Sequence, residues 1–140
     1  MDSTKLSLER LCDPFFKVSS HYLIGEEGSI YQLVDEKNRA WHAGDSFWRG
    51  RSKVNDFSIG IEIQNPGHHY FLRKGEWFPY AAQQYQSLLN LLRVISLRIP
   101  LVKDNIVGHC HITSHRKIPK IDPGPHFDWE YLTENFLKYL

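Results

Sequence analysis

The chain has 140 residues, of which 41% are hydrophobic and 24% are charged, so it is long enough for one domain with a buried core and too short for two. Its formal net charge of +1 creates no overall field that would require nucleic acid or an anionic membrane as a partner. The 2 cysteines are too few for a disulfide framework, no apolar run approaches the ~20 residues of a membrane span, and the first residues lack the pattern of a signal peptide.

The opening stretch, STKLSLERLCDP, predicts one short helix. Its leucines lie among charged residues, and Ser3 or Thr4 can cap the first turn. The helix should end at Asp13-Pro14, because the residue before a proline is disfavoured in helical conformation.

A β-rich region follows this helix. Two β-forming runs flank the glycine-rich turn GEEGS and predict a hairpin with strands near 20–24 and 29–34. We expect RAWHAG to continue the sheet briefly before the polar loop DSFWRGRSKVND. The next stretch, FSIGIEIQN, alternates isoleucine with small or polar residues, which is typical of a strand with one face on the core. Glu62 interrupts that pattern.

The second half of the chain is dominated by one long amphipathic helix. Residues 66–79 show no period and predict a loop. Between 80 and 99 the apolar residues recur at spacings of three and four, and Pro100 then ends the helix. NIVGH predicts a last short strand, CHITSHRKIPKIDPGP a loop, and the closing segment a helix capped by Asp128. The expected fold is one α/β (α+β) domain over 1–140, with a central mixed β-sheet flanked by helices.

The loop before the last helix contains a possible metal site. His109 follows the predicted strand and Asp122 precedes Pro-Gly-Pro, so both side chains can converge on the same sheet edge. Zinc accepts histidine nitrogen and carboxylate oxygen, and catalytic zinc sites use three protein ligands and one open position. The alternative is a hydrogen-bonded histidine at a strand end and an aspartate turn. We expect His111 and His115 to lie on the surface.

Several motifs together resemble the zinc-dependent N-acetylmuramoyl-L-alanine amidases of the AmpD and AmiD type, relatives of the peptidoglycan-recognition proteins. They are VSSHYLIGEEGSIYQLV, RAWHAG, WRGRSKVNDFSIGIEIQNPG, IVGH and KIDPGPHFDW, in the family's order and spacing. The resemblance implies a mixed sheet with helices around it and a zinc ion in a groove at one edge. It also implies hydrolysis of the amide between N-acetylmuramic acid and L-alanine in peptidoglycan or muropeptides.

The resemblance assigns roles to individual residues. His109 and Asp122 match zinc ligands, and Glu62 matches the strand glutamate that handles the proton of water. Lys120 matches the basic residue that stabilises the oxyanion, but RKIPKIDPG is three residues longer than the family's pattern, so Lys117 competes for this role. Separately from the resemblance, these positions allow plainer interpretations, namely an exposed strand glutamate and solvated surface lysines.

Three further residues are predicted to bind substrate. Trp41, His42 and Asn65 match residues that line the groove and meet the glycan or the peptide. The alternative for the first two is a Trp-His pair that packs the sheet edge.

The family's first zinc ligand has no counterpart in this sequence. That ligand is a histidine at the end of an N-terminal strand, and Met1 aligns after it, so we expect the domain to lack this strand. His21 matches a different position, within the hairpin, and should not take over as a ligand. With two of three ligands, zinc should bind more weakly and activity should be impaired.

The main functional prediction is therefore a zinc amidase of the bacterial cell wall, and two alternatives remain. One is a catalytically impaired remnant that binds peptidoglycan. The other is a metal-dependent nuclease, indicated only by the histidines and basic residues of HCHITSHRK and opposed by the near-neutral charge. The sequence leaves open the choice between cytoplasm and cell envelope, the choice between intact and anhydro muropeptides, and the oligomeric state.

Overall fold

The computed structural model of the chain describes residues 1–138. Its helices and strands, in chain order, are α1 (Thr4–Cys12), β1 (Tyr22–Ile24), β2 (Ile30–Gln32), β3 (Phe47–Trp48), β4 (Arg51–Ser52), β5 (Ile61–Ile63), α2 (His68–Lys74), α3 (Ala82–Ser96), α4 (His109–Ile112) and α5 (Trp129–Leu137). Short 3-10 turns cover Pro14–Phe16, Val54–Phe57 and Lys103–Asn105. Within this part of the chain no helix is long and apolar enough to cross a bilayer.

The main sheet is mixed and has three strands in the order β2-β1-β5. Strand β1 pairs antiparallel with β2 and parallel with β5, and it places Leu23 beside Glu62. All three residues of β1 are buried, as expected for a central strand covered on both faces. The predicted mixed sheet with flanking helices is confirmed.

The predicted helix ends follow local capping chemistry. Ser3 Oγ accepts a hydrogen bond from the Leu6 N–H at 3.1 Å, and α1 ends before Asp13-Pro14. Asp128 Oδ1 accepts from the Tyr131 N–H at 2.8 Å and caps α5. These caps satisfy N–H groups that have no partner within the first helical turn.

The core lies between the sheet and the pair of helices α3 and α5. Leu89, Leu92 and Ile95 of α3 face inward at the spacing that the sequence pattern predicts. The buried members of this cluster are Tyr22, Ile24, Leu88, Leu89, Leu91, Leu92, Ile95, Phe127, Leu132 and Phe136. Because β5 is anchored on this core through its isoleucines, the position of Glu62 is set by the packing of the sheet.

The predicted strand at NIVGH is wrong. Ile106 and Gly108 have extended backbone angles, but in residues 1–138 no strand pairs with them, and His109 already begins α4. The Gly108 N–H bonds to the His111 Nδ1 atom at 2.8 Å, which satisfies a donor at the start of α4. The expectation that His109 follows a paired strand is therefore replaced by a helix N-terminus.

RAWHAG does not extend the sheet, because side chains occupy its backbone donors. The Trp41 N–H bonds to Ser19 Oγ at 2.8 Å. The N–H groups of His42 and Ala43 bond to Asn55 Oδ1 at 3.1 and 2.8 Å. A segment whose donors are used in this way has none left for a neighbouring strand.

Two predicted loops contain regular structure. The polar loop after RAWHAG forms the hairpin β3-β4, which is too short to show a period. The aromatic loop at 66–79 contains α2, which ends at Gly75 in the left-handed conformation with its N–H bonded to Phe71 O at 2.8 Å. A glycine that follows basic residues is a signal for the C-terminus of a helix. The helix was not predicted because its apolar residues show no helical period.

Candidate active site

His109 and Asp122 meet at the N-terminus of α4. The His109 Nδ1 atom lies 3.2 Å from Asp122 Oδ2, and the His109 Nε2 atom lies 3.1 Å from the Ala43 carbonyl oxygen. The Cys110 N–H donates to the Asp122 carbonyl at 3.0 Å and draws the loop back to the helix. Gly108 is required here, because a Cβ atom would come within 2.6 Å of the Pro123 ring. The loop thus brings together a histidine and an aspartate, two side-chain types that can bind metal ions.

These donors fit zinc in type and spacing. Zinc bonds of 2.0–2.1 Å in tetrahedral geometry separate two donor atoms by roughly 3.3 Å, close to the observed distance between the His109 and Asp122 atoms. The pair alone provides too few ligands for a catalytic zinc site. Within residues 1–138 no group of three or more His, Cys, Asp or Glu side chains could hold a metal ion. A catalytic zinc site needs one more protein ligand than this pair.

Glu62 lines the same groove as the His109-Asp122 pair. Its neighbours Ile61 and Ile63 pack against the core, so alternation along β5 turns Glu62 to the opposite face. Burial, and then the negative charge of Asp122, raise the pKa of Glu62, while His109 opposes the shift. A carboxyl group with a raised pKa in a groove is suited to accept and return a proton.

The environment of Asp122 lowers the pKa of its carboxyl group, whereas that of Glu62 is raised. Burial alone would raise the pKa of Asp122, but the hydrogen bond and charge of His109 hold it below its usual range, and the charge of Lys120 adds to this. Lys120 therefore acts on the site electrostatically. Lys117 and Lys120 are both exposed, but only the charge of Lys120 acts on the carboxyl group of Asp122. This arrangement favours Lys120 for the role that the two lysines compete for.

Thr113 connects these residues and was missed at the sequence level. It is fully buried, and its Oγ1 atom donates to the His109 carbonyl at 3.0 Å and accepts from the Lys120 N–H at 3.0 Å. One hydroxyl group thus holds the start of α4 to the returning loop. A threonine among polar loop residues carries no pattern that marks it as buried, so only the fold reveals it.

Replacing Thr113 with valine should lower the free energy of unfolding by about 1–3 kcal/mol. Valine keeps the shape but leaves the His109 carbonyl and the Lys120 N–H without their partner. Urea denaturation measures the change. Thr113→Ser keeps the hydroxyl and is the matched control, with a smaller loss expected. A loss in Thr113→Ser as large as that in Thr113→Val would contradict the prediction that the two hydrogen bonds are the main contribution.

His42 is half-buried beside the site and is held in its neutral form. Its Nε2 atom lies 3.2 Å from Ser58 Oγ, and its ring covers Gly60 so closely that any Cβ there would collide with it. Burial, followed by the positive charges of His21 and His109, lowers the pKa of His42 to about 4. His42 lines the groove, as predicted for a residue that meets substrate. Its role in binding stays a prediction.

The stability of the fold should depend on His42 below neutral pH. The folded pKa is about 4 and the unfolded value is 6.5, so the unfolded chain binds the proton more readily. The contribution of neutral His42, up to about 3 kcal/mol, is present above pH 6.5 and is lost as the pH falls towards 4. Urea unfolding between pH 4.5 and 7.5 should show this slope reduced in His42→Gln. An unchanged slope in that variant would contradict the assignment.

The other two predicted substrate residues do not line the groove. Trp41 is exposed and lies under the Arg39 guanidinium, 4.5 Å from its ring centre. The Asn65 amide is used in a turn, where Oδ1 accepts from the Gly67 N–H at 2.7 Å and Nδ2 donates to Phe78 O at 3.1 Å. Both lie outside the set of residues that line the groove around Glu62.

Three other histidines lie where the sequence analysis predicted them. His21 is buried, and its Nδ1 atom accepts from the Gly60 N–H at 3.0 Å while Nε2 lies 2.8 Å from Asn38 O. Both ring nitrogens are occupied, so His21 is not available as a metal ligand. His111 and His115 are exposed on the surface.

A carboxyl group facing a histidine-aspartate pair in a groove is typical of a hydrolytic site. Comparison with known families agrees with this class, since the N-acetylmuramoyl-L-alanine amidase family matches residues 1–125. The chain belongs to this family.

The chain is also similar in sequence to curated amidases and in structure to solved amidases. The chain is 43% identical over 122 residues to the 1,6-anhydro-N-acetylmuramyl-L-alanine amidase AmpD of Salmonella typhimurium, covering 83% of this chain and 59% of the relative. It is 46% identical over 115 residues to AmpD of Haemophilus influenzae, and the match covers 81% of this chain and 56% of that relative. A structure of the amidase AmiD from E. coli with the substrate anhydro-N-acetylmuramic acid-L-Ala-D-gamma-Glu-L-Lys superposes with a TM-score of 0.82 at 37% identity, covering 96% of this chain and 53% of that one. The chain thus spans less than two thirds of the length of these relatives.

Proposed function

We propose that the chain forms the catalytic domain of an N-acetylmuramoyl-L-alanine amidase, which hydrolyses the amide between N-acetylmuramic acid and L-alanine in peptidoglycan or muropeptides. The observation that carries this proposal is the groove in which Glu62 lies with the His109-Asp122 pair, within a domain of the amidase family. Muropeptides are the preferred substrate class. The E. coli AmiD structure contains such a substrate, and a structure of AmpDh3 from Pseudomonas aeruginosa contains anhydromuramic pentapeptide.

The cofactor of the proposed reaction is zinc, held by His109 and Asp122. When bound, zinc lowers the pKa of water and polarises a carbonyl group. Within residues 1–138 no group of three or more His, Cys, Asp or Glu side chains could hold a metal ion, so this pair is the whole of the ligand set proposed here. Zinc per chain, measured by elemental analysis, should fall in His109→Ala.

In the proposed reaction, different residues of the chain transfer the proton, stabilise the oxyanion and position the site. Glu62 accepts the proton of the attacking water, since its raised pKa favours holding that proton through the next step. The same carboxyl group then gives the proton to the departing amine of L-alanine. Lys120 places a positive charge near Asp122, where it stabilises the developing oxyanion. Thr113 keeps the backbone of Lys120 and that of His109 in register.

Incubation with anhydro-N-acetylmuramyl tripeptide tests the proposal. The expected products are the free sugar acid and a tripeptide with an unblocked L-alanine amine, both identified by mass spectrometry. Release should stop with a zinc chelator and with His109→Ala. Absence of tripeptide from a zinc-loaded chain, or release that survives both treatments, would refute the proposed activity.

Lys120→Ala should reduce turnover by about 10²- to 10³-fold, the usual effect of removing one oxyanion-stabilising group. Lys117→Ala is the matched control and should cause a lesser loss, because the charge of Lys120, and not that of Lys117, acts on Asp122. Steady-state kinetics with the muropeptide separates the two. A larger loss in Lys117→Ala would reverse the assignment of the two lysines.

The alternative function is binding of peptidoglycan without hydrolysis. It is favoured by one observation: within residues 1–138 no group of three or more His, Cys, Asp or Glu side chains could hold a metal ion. In that case the chain should co-sediment with insoluble peptidoglycan and release no peptide, whether or not zinc is added.

A further inference from the structure

The side chain of Arg116 joins two backbone carbonyl groups of one turn. Its Nε–H donates to the Asp45 oxygen at 2.6 Å, and a terminal N–H donates to the Ala43 oxygen at 3.1 Å. Gly44 lies between them with a φ of 60°, and a Cβ atom there would come within 2.9 Å of the guanidinium. A planar guanidinium holds two acceptors in a fixed relation, which a single ammonium group cannot do. The turn at 43–45 is therefore shaped around Arg116.

The same Ala43 carbonyl contacts His109. Its oxygen lies 3.1 Å from the His109 Nε2 atom. A carbonyl oxygen can only accept, so this hydrogen bond requires a proton on Nε2. A neutral ring then keeps its lone pair on Nδ1, the atom that lies 3.2 Å from Asp122 Oδ2. The position of the Ala43 oxygen thus decides which nitrogen of His109 is available to a metal ion.

Other hydrogen bonds hold the turn on its remaining sides. Asn55 Oδ1 accepts from the Ala43 N–H at 2.8 Å, and Ser46 Oγ donates to the Gly44 oxygen at 3.0 Å. Ala43 itself is fully buried. The contact of Arg116 with two carbonyl groups therefore completes a turn whose other polar groups are already held.

The backbone of Arg116 is tied to the helix that carries His109. Its N–H donates to the Thr113 carbonyl at 3.0 Å, and the Thr113 hydroxyl donates to the His109 carbonyl at 3.0 Å. The side chain of Arg116 then reaches Ala43, which lies 73 positions earlier in the chain. Arg116 thus connects α4 to the turn that supplies the acceptor for the His109 ring.

We propose that Arg116 is a positioning residue of the metal site, which fixes the Ala43 carbonyl so that His109 carries its proton on Nε2 and presents Nδ1 to zinc. Arg116 lies outside the set of residues that line the groove around Glu62, so it acts through Ala43 and not on substrate. Histidines that bind metals are commonly oriented by such a hydrogen bond at their other nitrogen. This inference rests on the zinc binding proposed above and does not depend on the amidase reaction.

Zinc affinity, measured by competition with a fluorescent chelator, is the first test. Arg116→Ala should weaken zinc binding about tenfold, at the lower end of the effect of residues that orient metal ligands. Arg116→Lys keeps the charge but cannot hold both carbonyl groups, so it should also lose affinity. Arg98→Ala is the matched control. Arg98 is exposed, lies outside the groove and donates to Glu36 and to the Val94 carbonyl, so its removal should leave zinc affinity unchanged.

Nuclear magnetic resonance of the histidine rings gives a readout that a general loss of stability does not produce. In the zinc-loaded natural chain, long-range ¹H–¹⁵N correlation should place the His109 proton on Nε2. Exchange of this proton with water should be at least about tenfold faster in zinc-loaded Arg116→Ala, because the carbonyl that protects it is no longer fixed. The same proton should exchange at the natural rate in Arg98→Ala.

The outcomes separate this inference from the proposed function. Equal zinc affinity in the natural chain and Arg116→Ala, or a His109 proton on Nδ1 in the zinc-loaded natural chain, would overturn the role of Arg116 and leave the amidase proposal standing. Where Arg116→Ala fails to fold, natural affinity in Arg116→Lys would overturn that role equally. A natural chain that binds no zinc would refute the proposed cofactor and this inference with it.

Discussion

Replacing Glu62 with glutamine should reduce hydrolysis of the muropeptide amide by about 10²- to 10⁴-fold, the range that general acid-base catalysis contributes. Glutamine is nearly the same size, so the packing of β5 is retained, but the amide can neither accept nor return the proton. The measurement is the steady-state rate of tripeptide release with zinc present. Bound zinc per chain should not change, because Glu62 is not one of the proposed ligands.

A matched variant separates this effect from a general loss of negative charge. Glu76 is exposed and lies outside the groove around Glu62, so Glu76→Gln should leave the rate close to that of the natural chain. The loss in Glu62→Gln should appear in kcat more than in KM. If Glu62→Gln retained full turnover, another group would have to carry the proton, and the assignment of Glu62 would fail.

Leu89→Ala should lower the free energy of unfolding by about 2–5 kcal/mol. Leu89 is 2% exposed at the centre of α3, and its side chain lies in the core between this helix and the sheet. Truncation removes buried apolar surface and leaves a cavity that the neighbours only partly fill. Urea denaturation followed by circular dichroism measures the change.

Leu97→Ala is the control for that substitution. Leu97 follows the last residue of α3 and is 84% exposed, so the same chemical change there should cost less than about 0.5 kcal/mol. Similar losses at both positions would show that the described core does not determine stability.

Features that depend on neighbouring residues in the sequence were predictable. Capping by Ser3 and by Asp128 needs only a side chain and the first turn of its own helix. The long helix α3 follows from the spacing of its apolar residues, although the structure ends it at Ser96 and not near 99. Helix capping and apolar spacing each involve residues of one helix only, so both can be recognised from the sequence alone.

Features that depend on a distant partner were not predictable in the same way. NIVGH has the composition of a strand, but a strand also needs a neighbour, and the described chain provides none beside Val107. The burial of Thr113 depends on how the loop to Lys120 folds back. The meeting of His109 with Asp122 was expected from their positions at the two ends of the loop and from the likeness to the family, although the strand on which the first argument relied does not form.

The register of the mixed sheet also determines the order in which the domain can assemble. Strands β1 and β2 are joined by a short turn, whereas the contact of His21 with Gly60 closes a loop of 39 positions. Loop closure over longer distances costs more entropy, so the hairpin can form early and the pairing of β5 must come later. Glu62 lies on that late strand. A partly folded chain should therefore have a hairpin and a long helix but no assembled groove around Glu62.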